Sequence, residues 1–173
     1  MSANNIDWDV VDLIARERKE HMDGRRKDEH KPAYDGTGLD IDRIGVAAEL
    51  AFSQRYDLLP PLREVIGGDN GYDFLVEWAG EQTKVEIKSS KYNNPNLMVP
   101  STRDFEAPDV YVLYSAEYRK YTHPVGWIVT PEFMEKSEKQ DSRIGEYCRF
   151  LDSSELNELP NTDVITTVND ETE

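Results

Sequence analysis

Apolar and polar residues alternate along two neighbouring segments in the middle of the chain. The apolar positions are Tyr72, Phe74, Val76 and Trp78 in the first segment and Val85 and Ile87 in the second. A period of two residues is typical of strands that are buried on one face. The dipeptide Ala79-Gly80 lies between the segments and fits a two-residue turn. The pattern therefore predicts an antiparallel hairpin with one apolar and one polar face.

The polar face of this hairpin presents two acids and a lysine. With the turn at Ala79-Gly80, Asp73 lies directly opposite Glu86, with Cβ atoms about 4.5 to 5.5 Å apart. Lys88 follows Glu86 by two residues and points to the same side. If the turn is Gly80-Glu81 instead, Asp73 faces Lys88, and the three polar groups still share one face. Both registers bring the same three side chains together.

Two carboxylates at this distance repel each other unless a proton or a cation lies between them. Mg2+ resolves the conflict, because it binds a few carboxylate oxygens and keeps several waters that phosphate oxygens can displace. Asp73, Glu86 and a main-chain carbonyl, assigned to Ile87, would form half of its coordination shell, and Mn2+ could substitute. Lys88 would orient an attacking water or stabilise charge on phosphorus. The alternative is an ordinary solvated strand face with cross-strand charge pairs.

A helical pattern before the hairpin carries a third acid. From about Asp40 to Arg55 the apolar residues recur at helical spacing, and Glu49 lies one position away from their stripe. The stripe consists of Ile44, Ala47, Ala48, Ala51 and Phe52. Glu49 is therefore expected at the margin of the core. The alternative for Glu49 is an exposed surface position.

The remaining patterns alternate between helices and strands. They predict a helix from Ile6 to about Lys27, strands at Leu62 to Ile66, Leu97 to Val99, Val110 to Tyr114 and Val125 to Thr130, a helix from Pro131 through Lys136, and a last short helix capped by Ser153. The continuous apolar strand is of the kind that is buried on both sides in an α/β sheet. A length of 173 residues suits one domain, with an N-terminal helix and mobile loop over 1–39, a core over 40–159, and an acidic tail over 160–173 that is expected to fray.

Through Asp73, Glu86, Lys88 and the helical Glu49, the chain resembles the PD-(D/E)XK nuclease superfamily over roughly residues 40 to 135. It looks most like small phage or archaeal-virus nucleases, in which an Ile-Gly-x-x-x-Glu helix precedes an Asp-Phe and a Glu-Ile-Lys-Ser-Ser strand. The resemblance implies an α/β, restriction-endonuclease-like fold, with a mixed β-sheet core flanked by helices. The chain departs from the motif at Tyr72, where the motif name has proline.

The same resemblance implies roles for the residues. Asp73 and Glu86 would bind the metal, Glu49 would complete the site directly or through water, and Lys88 would be the catalytic lysine. The activity implied is that of a Mg2+-dependent deoxyribonuclease, an endonuclease that hydrolyses DNA phosphodiester bonds. Many nucleases of this fold act as homodimers, so a homodimer is an expected state. After Lys91 the usual helix is not evident, and a loop with a short strand is expected.

Besides Arg119 and Lys120 in the turn-rich segment before the strand at Val125, two groups of residues are candidates for contact with DNA. Ser89, Ser90 and Lys91 extend the catalytic strand and could bind the scissile phosphate, although polar residues at a strand end need no function. The run Arg25, Arg26 and Lys27 is the densest basic patch and could contact the phosphate backbone. Nearby acids cancel most of its field. A binding role for either group remains a hypothesis.

The net charge of −15 is unusual for a DNA-binding protein, because duplex binding draws on lysine and arginine contacts to phosphate. Residues 132–173 contain twelve acidic and four basic residues, so about half of the excess lies away from the proposed site. The composition resembles that of halophilic proteins, whose acidic surface keeps them hydrated in high salt, and favours a haloarchaeal or haloarchaeal-virus source. A mildly acidic mesophilic protein with a disordered tail is the alternative.

Other features narrow the class of protein. No segment approaches eighteen apolar residues and the amino terminus lacks a signal pattern, so a cytoplasmic protein with no membrane partner is expected. Cys148 is the only cysteine, which excludes an intramolecular disulfide and any multi-cysteine metal site. Two other functions stay open: a non-catalytic module of the same fold that binds nucleic acid or protein, and an acidic DNA mimic or interaction protein.

Overall fold

The computed structural model describes residues 5–23, 38–60, 71–101, 107–141 and 147–168. Over these residues the chain forms three α-helices, eight β-strands and a single 3₁₀ turn at Ser153–Glu155. In chain order the helices and strands are α1 (Trp8–Asp23), α2 (Gly38–Arg55), β1 (Phe74–Trp78), β2 (Glu81–Ser90), β3 (Leu97–Pro100), β4 (Val110–Glu117), β5 (Tyr121–Val129), α3 (Thr130–Lys136), β6 (Glu138–Asp141), β7 (Tyr147–Leu151) and β8 (Ile165–Thr167). None of the described helices is long and apolar enough to cross a membrane.

The main sheet has five strands in the order β5-β4-β2-β1-β8. Strands β2 and β4 run parallel, whereas every other neighbouring pair in this sheet is antiparallel. A second, antiparallel sheet contains β3, β7 and β6. The protein is thus a mixed α/β protein with a mixed multi-stranded sheet, as the sequence predicts.

Alternate residues of β4 define two apolar layers. Val110, Val112 and Tyr114 are buried against α1 and α2, together with residues of β1 and β2. Tyr111 and Leu113 point to the other side and are buried with residues of the small sheet and α3. Because side chains alternate along a strand, the main sheet lies between a helical layer and a layer formed by the small sheet and α3. The prediction of an interior apolar strand here is confirmed.

The hairpin forms in the first of the two predicted registers. Phe74 pairs with Val85 and Trp78 pairs with Glu81, so Ala79 and Gly80 form the two-residue turn. Both turn residues have positive φ, 52° and 85°, as a type I′ turn requires. The alternative turn, one residue later, is wrong. This register fixes which side chains of β1 and β2 face each other.

Replacement of Ala79 by glycine is expected to stabilise the protein by about 0.5 to 1 kcal/mol, because an L-residue is strained at positive φ and glycine is not. Urea unfolding of the variant should show a higher midpoint. The control is Ala116→Gly in β4, which does not have positive φ; since Ala116 is also fully buried, this exchange should lose at least about 1 kcal/mol of stability. Equal destabilisation by both exchanges would contradict strain at the turn.

The carboxyl-terminal region differs from its prediction. Residues 160–168 are not a frayed tail: β8 pairs with β1 at the edge of the main sheet, and Ile165 is fully buried. The last short helix is only the 3₁₀ turn, and Asp152, not Ser153, caps it by accepting a hydrogen bond from the Ser154 amide at 2.9 Å. Burial of one apolar side chain thus anchors a segment whose composition is mainly polar.

Other predicted boundaries agree to within a few residues. The helix that carries Glu49, the short strand after the loop, and the strand that leads into α3 all form. The first helix begins at Trp8, where Asp7 accepts a hydrogen bond from the Asp9 amide at 3.0 Å. The end of the predicted first helix and the predicted strand at 62–66 lie outside the described residues.

Candidate active site

Asp73 lies at the point where β1 and β2 stop pairing through their main chains. It immediately precedes β1, and the register that pairs Phe74 with Val85 places it opposite Glu86. Its amide donates to the Val85 carbonyl at 2.8 Å, and its Oδ2 accepts from the Ile87 amide at 2.7 Å. The Asp73 carboxylate therefore takes the place of a main-chain carbonyl as the hydrogen-bond acceptor of the Ile87 amide, and this bond fixes the position of the carboxylate.

Glu86 and Lys88 form a close ion pair on β2. The Lys88 Nζ donates to Glu86 Oε1 at 2.5 Å, and the side chains of Lys88 and Glu86 are only 18% and 11% exposed. In the parallel pairing of β2 with β4, Glu86 and Lys88 lie beside Tyr111 and Leu113. Both charged side chains therefore belong to the sheet face that is opposite to α1 and α2.

Glu49 approaches from the helical layer. On α2 it follows Gly45 by one turn, and a Cβ at Gly45 would lie 4.0 Å from the Ser89 Oγ. The Glu49 carboxylate is 13% exposed and accepts two hydrogen bonds from Arg18 of α1, at 3.0 Å and 2.7 Å. Such a bidentate pair is geometrically specific and strong for an ion pair. Glu49 is thus at the margin of the core, as predicted.

Arg18 is the residue of the site that the sequence interpretation missed. It stands on α1 three residues after the fully buried Ala15 and seven after the fully buried Val11. That spacing puts a cation on the buried stripe of the helix, and this spacing could have identified Arg18 from the sequence. A charge on a buried stripe requires a partner of opposite sign, and the partner here is Glu49.

Asp73 is the most strongly perturbed acid of the site. Burial raises its pKa well above the ordinary value of 3.8, and the negative charges of Glu86 and Glu49 raise it further. The Ile87 amide and the positive charge of Lys88 act in the opposite direction but do not compensate. Two further carboxylates thus act on Asp73, one from the helical layer and one from the neighbouring strand.

The acids of the site also affect the pKa of Arg18. Burial by itself lowers the pKa of Arg18, but the hydrogen bonds and charge of Glu49 outweigh it, and Asp73 adds to the rise. The net pKa of the guanidinium is raised. Arg18 is therefore a fixed positive charge that acts on both acids.

The donor chemistry fits a hard divalent cation. Asp73 and Glu86 provide carboxylate oxygens, and in an extended strand the carbonyl of Ile87 points to the same neighbour as its amide, towards Asp73. Within the described ranges, no three His, Cys, Asp or Glu side chains are close enough to form a complete metal site. The protein thus offers a half-shell of oxygen donors, and Glu49 is held by Arg18.

No family model matches this chain, and no curated protein or solved structure shows significant similarity to it. The functional interpretation therefore rests on the residues and the geometry of the site.

The structure separates the residues that were expected to contact DNA. Ser90 follows Lys88 on the same face of β2, whereas Ser89 points to the opposite face, beneath Gly45 of α2. Lys91 is exposed just after the strand. Only Ser90 and Lys91 are therefore well placed to extend the face of Glu86 and Lys88. The basic run Arg25, Arg26 and Lys27 lies outside the described residues.

Proposed function

We propose that the protein is a metal-dependent nuclease of the PD-(D/E)XK type, with the restriction-endonuclease-like fold, that hydrolyses phosphodiester bonds of DNA. One observation carries the proposal: Asp73 lies opposite Glu86 where the hairpin opens, with Lys88 in contact with Glu86. The raised pKa of Asp73 supports it, because a crowded set of acids favours a bound cation. The order and spacing of these three residues also resemble those of the PD-(D/E)XK motif, which supports the proposal.

Each side chain has a distinct task in this proposal. Asp73 and Glu86, with the Ile87 carbonyl, would hold Mg2+ or Mn2+, which would polarise a phosphate oxygen and lower the pKa of water. Lys88 orients the attacking water and stabilises negative charge that develops on the phosphate oxygens. The water oxygen would form a bond to phosphorus and lose a proton to solvent, while the bond from phosphorus to the leaving oxygen breaks and that oxygen takes up a proton from solvent. Arg18 holds Glu49 in place on the helical side of Asp73.

The acidic composition determines how such an enzyme would bind DNA. With a net charge of −15, the protein as a whole repels a phosphate backbone. Binding must therefore depend on the divalent cation, on shape and on hydrogen bonds more than on counterion release. A cytoplasm rich in salt would screen the repulsion, which fits the halophilic composition.

The proposal is tested by a cleavage assay. Supercoiled, linear, branched and single-stranded DNA would be incubated with Mg2+, Mn2+ or a chelator, at low and at molar salt. The proposal requires cutting that depends on the metal and that Asp73→Ala abolishes. Cutting that is equal with and without the chelator, or equal in the variant, would overturn it, as would no cutting under any condition.

A specific observation favours a second candidate, a non-catalytic nucleic-acid-binding module of the same fold. Every acid of the site already has a partner: Asp73 has the Ile87 amide, Glu86 has Lys88, and Glu49 has Arg18. Such pairs can be structural. A module of this kind would retain DNA without cutting it, whereas an acidic DNA mimic would bind basic proteins and ignore Mg2+.

Replacement of Arg18 by glutamine is expected to tighten Mg2+ binding roughly threefold to tenfold, because a nearby positive charge opposes the cation by about 1 kcal/mol after solvent screening. The readout is the rise in melting temperature as Mg2+ is added. Arg55→Gln is the matched control, since Arg55 lies at the carboxyl-terminal end of α2 and its side chain contacts Tyr56 and Pro160 instead of Glu49. Weaker Mg2+ binding by the Arg18 variant would contradict this electrostatic role.

A further inference from the structure

The sheet face that carries Glu86 and Lys88 continues past the end of β2. Ser90 lies beside Ser115 of β4, and Ser115 lies beside His123 of β5. Paired residues of neighbouring strands share a face, so His123, and Tyr121 two residues before it, point to the same side as Lys88. A row of side chains thus leads from the proposed catalytic lysine to β5.

Hydrogen bonds hold the loop after β2 against this row of side chains. The Ser115 hydroxyl donates to the Tyr92 carbonyl at 2.6 Å. The Tyr121 hydroxyl donates to the Asn93 Oδ1 at 3.0 Å and lies 3.4 Å from the Lys91 carbonyl. These bonds fix the backbone of the loop, while the Tyr92 side chain remains 60% exposed. An exposed ring on a fixed backbone loses little entropy when it binds a ligand.

The side chains of this surface are aromatic and cationic. The rings of Tyr121 and His123 are stacked, with centroids 5.1 Å apart and planes inclined by 27°. The Lys91 Nζ lies 5.7 Å from the centroid of the Tyr92 ring. His123 and Lys91 are both exposed. In proteins that bind single strands, successive bases stack on aromatic rings of this kind, and a nearby cation contacts the phosphate.

We propose that Tyr92, Tyr121, His123 and Lys91 form a platform that binds unpaired bases of the DNA strand to be cut. The bases would stack on the rings, and Lys91 would contact a neighbouring phosphate. In a continuous duplex the faces of the bases are covered by their neighbours, so only a single-stranded segment can use this surface. The inference deepens the proposed nuclease function, because it assigns the substrate to DNA with an unpaired segment next to the cleaved bond.

Charge supports nucleic acid as the occupant. The protein is strongly acidic, yet this surface beside the site presents the exposed cation of Lys91, next to the exposed side chains of Tyr92 and His123, which carry no negative charge. Aromatic stacking does not depend on counterion release, so it is a source of affinity that an acidic protein keeps in high salt. Stacking also tolerates any base. The platform would therefore select for strand structure and not for sequence.

The test measures binding apart from cutting. In a cleavage-deficient Asp73→Asn background, fluorescence anisotropy would follow binding of a labelled oligothymidylate of about 12 nucleotides and of a blunt duplex of equal length. Tyr92→Leu removes the ring, and Tyr92→Phe keeps it. Tyr147→Leu is the matched control, because Tyr147 is also 60% exposed but lies on the small sheet, at the other end of β3 from the loop.

We expect Tyr92→Leu to weaken single-strand binding by about tenfold, Tyr92→Phe and Tyr147→Leu to change it less than about twofold, and duplex binding to respond to none of them. No single-strand binding by the parent, or equal affinity of the Leu and Phe variants at Tyr92, would overturn the platform. Metal-dependent cutting with such a result would leave the nuclease proposal standing. Ring-dependent binding without any cutting would support the platform in a non-catalytic module.

Discussion

Replacement of Asp73 by asparagine is expected to abolish cleavage and at the same time to stabilise the metal-free protein at neutral pH. The asparagine side chain keeps an oxygen that accepts from the Ile87 amide, but it carries no charge to oppose Glu86 and Glu49. A carboxylate ligand is lost, and we expect cleavage to fall by at least about 10²- to 10³-fold. Cleavage therefore requires a carboxylate at position 73, whereas the stability of the metal-free protein favours an uncharged side chain there.

The sign of the pH dependence follows from the raised pKa. The folded protein holds the Asp73 proton to a higher pH than the unfolded chain does, so the contribution of Asp73 to stability is fully present below the ordinary pKa of 3.8. It is lost as the pH rises through the higher pKa of the folded state. Urea unfolding without metal should therefore show that the advantage of Asp73→Asn grows with pH over this window.

Mg2+ separates the two effects in one measurement. The wild-type protein should melt at a higher temperature as Mg2+ is added, because a ligand that binds only the folded state stabilises it. The Asp73→Asn variant should have a higher melting temperature than the wild type without metal, and this temperature should rise little when Mg2+ is added. Asp109→Asn is a suitable control, since Asp109 is exposed and accepts from the Lys84 amide at 2.8 Å, away from the proposed ligands. An undiminished response of the Asp73 variant to Mg2+ would show that Asp73 is not a ligand.

Local patterns determine the core of the site, which is why the sequence predicts it. The period of two puts Asp73, Glu86 and Lys88 on one face in either register of the hairpin, and the turn at Ala79 and Gly80 places Asp73 opposite Glu86. A helix of the right length sets Glu49 at the edge of its apolar stripe. These relations extend over few residues, so they follow from spacing.

What the sequence does not predict depends on how distant elements pack. Arg18 and Glu49 are 31 residues apart, and their pairing requires that α1 and α2 cross at one particular place. Strand β8 joins the sheet because β1 offers a free edge and Ile165 can be buried there. The platform likewise needs β4 to align Ser90 with His123 through Ser115. Spacing within one segment carries no information on these contacts.

Replacement of Lys88 by methionine is expected to reduce cleavage by about 10²- to 10³-fold while Mg2+ binding is kept or tightened. Methionine is unbranched and fills most of the space of the lysine stem, but it carries no charge to orient water or to stabilise phosphate oxygens. Loss of the Lys88 charge also removes an influence that lowers the pKa of Asp73, so any residual cleavage should require a higher pH.

The pair of readouts distinguishes the lysine from the acids. Asp73→Asn should lose both cleavage and stabilisation by Mg2+, whereas Lys88→Met should lose only cleavage. Lys84→Met is the matched control, because Lys84 lies on the same face of β2 but is exposed, with its Nζ 5.7 Å from the centroid of the Tyr72 ring. Wild-type cleavage by Lys88→Met would assign the ion pair with Glu86 a purely structural role. A loss of Mg2+ stabilisation in Lys88→Met would instead mean that the lysine holds Glu86 in the position that the metal requires.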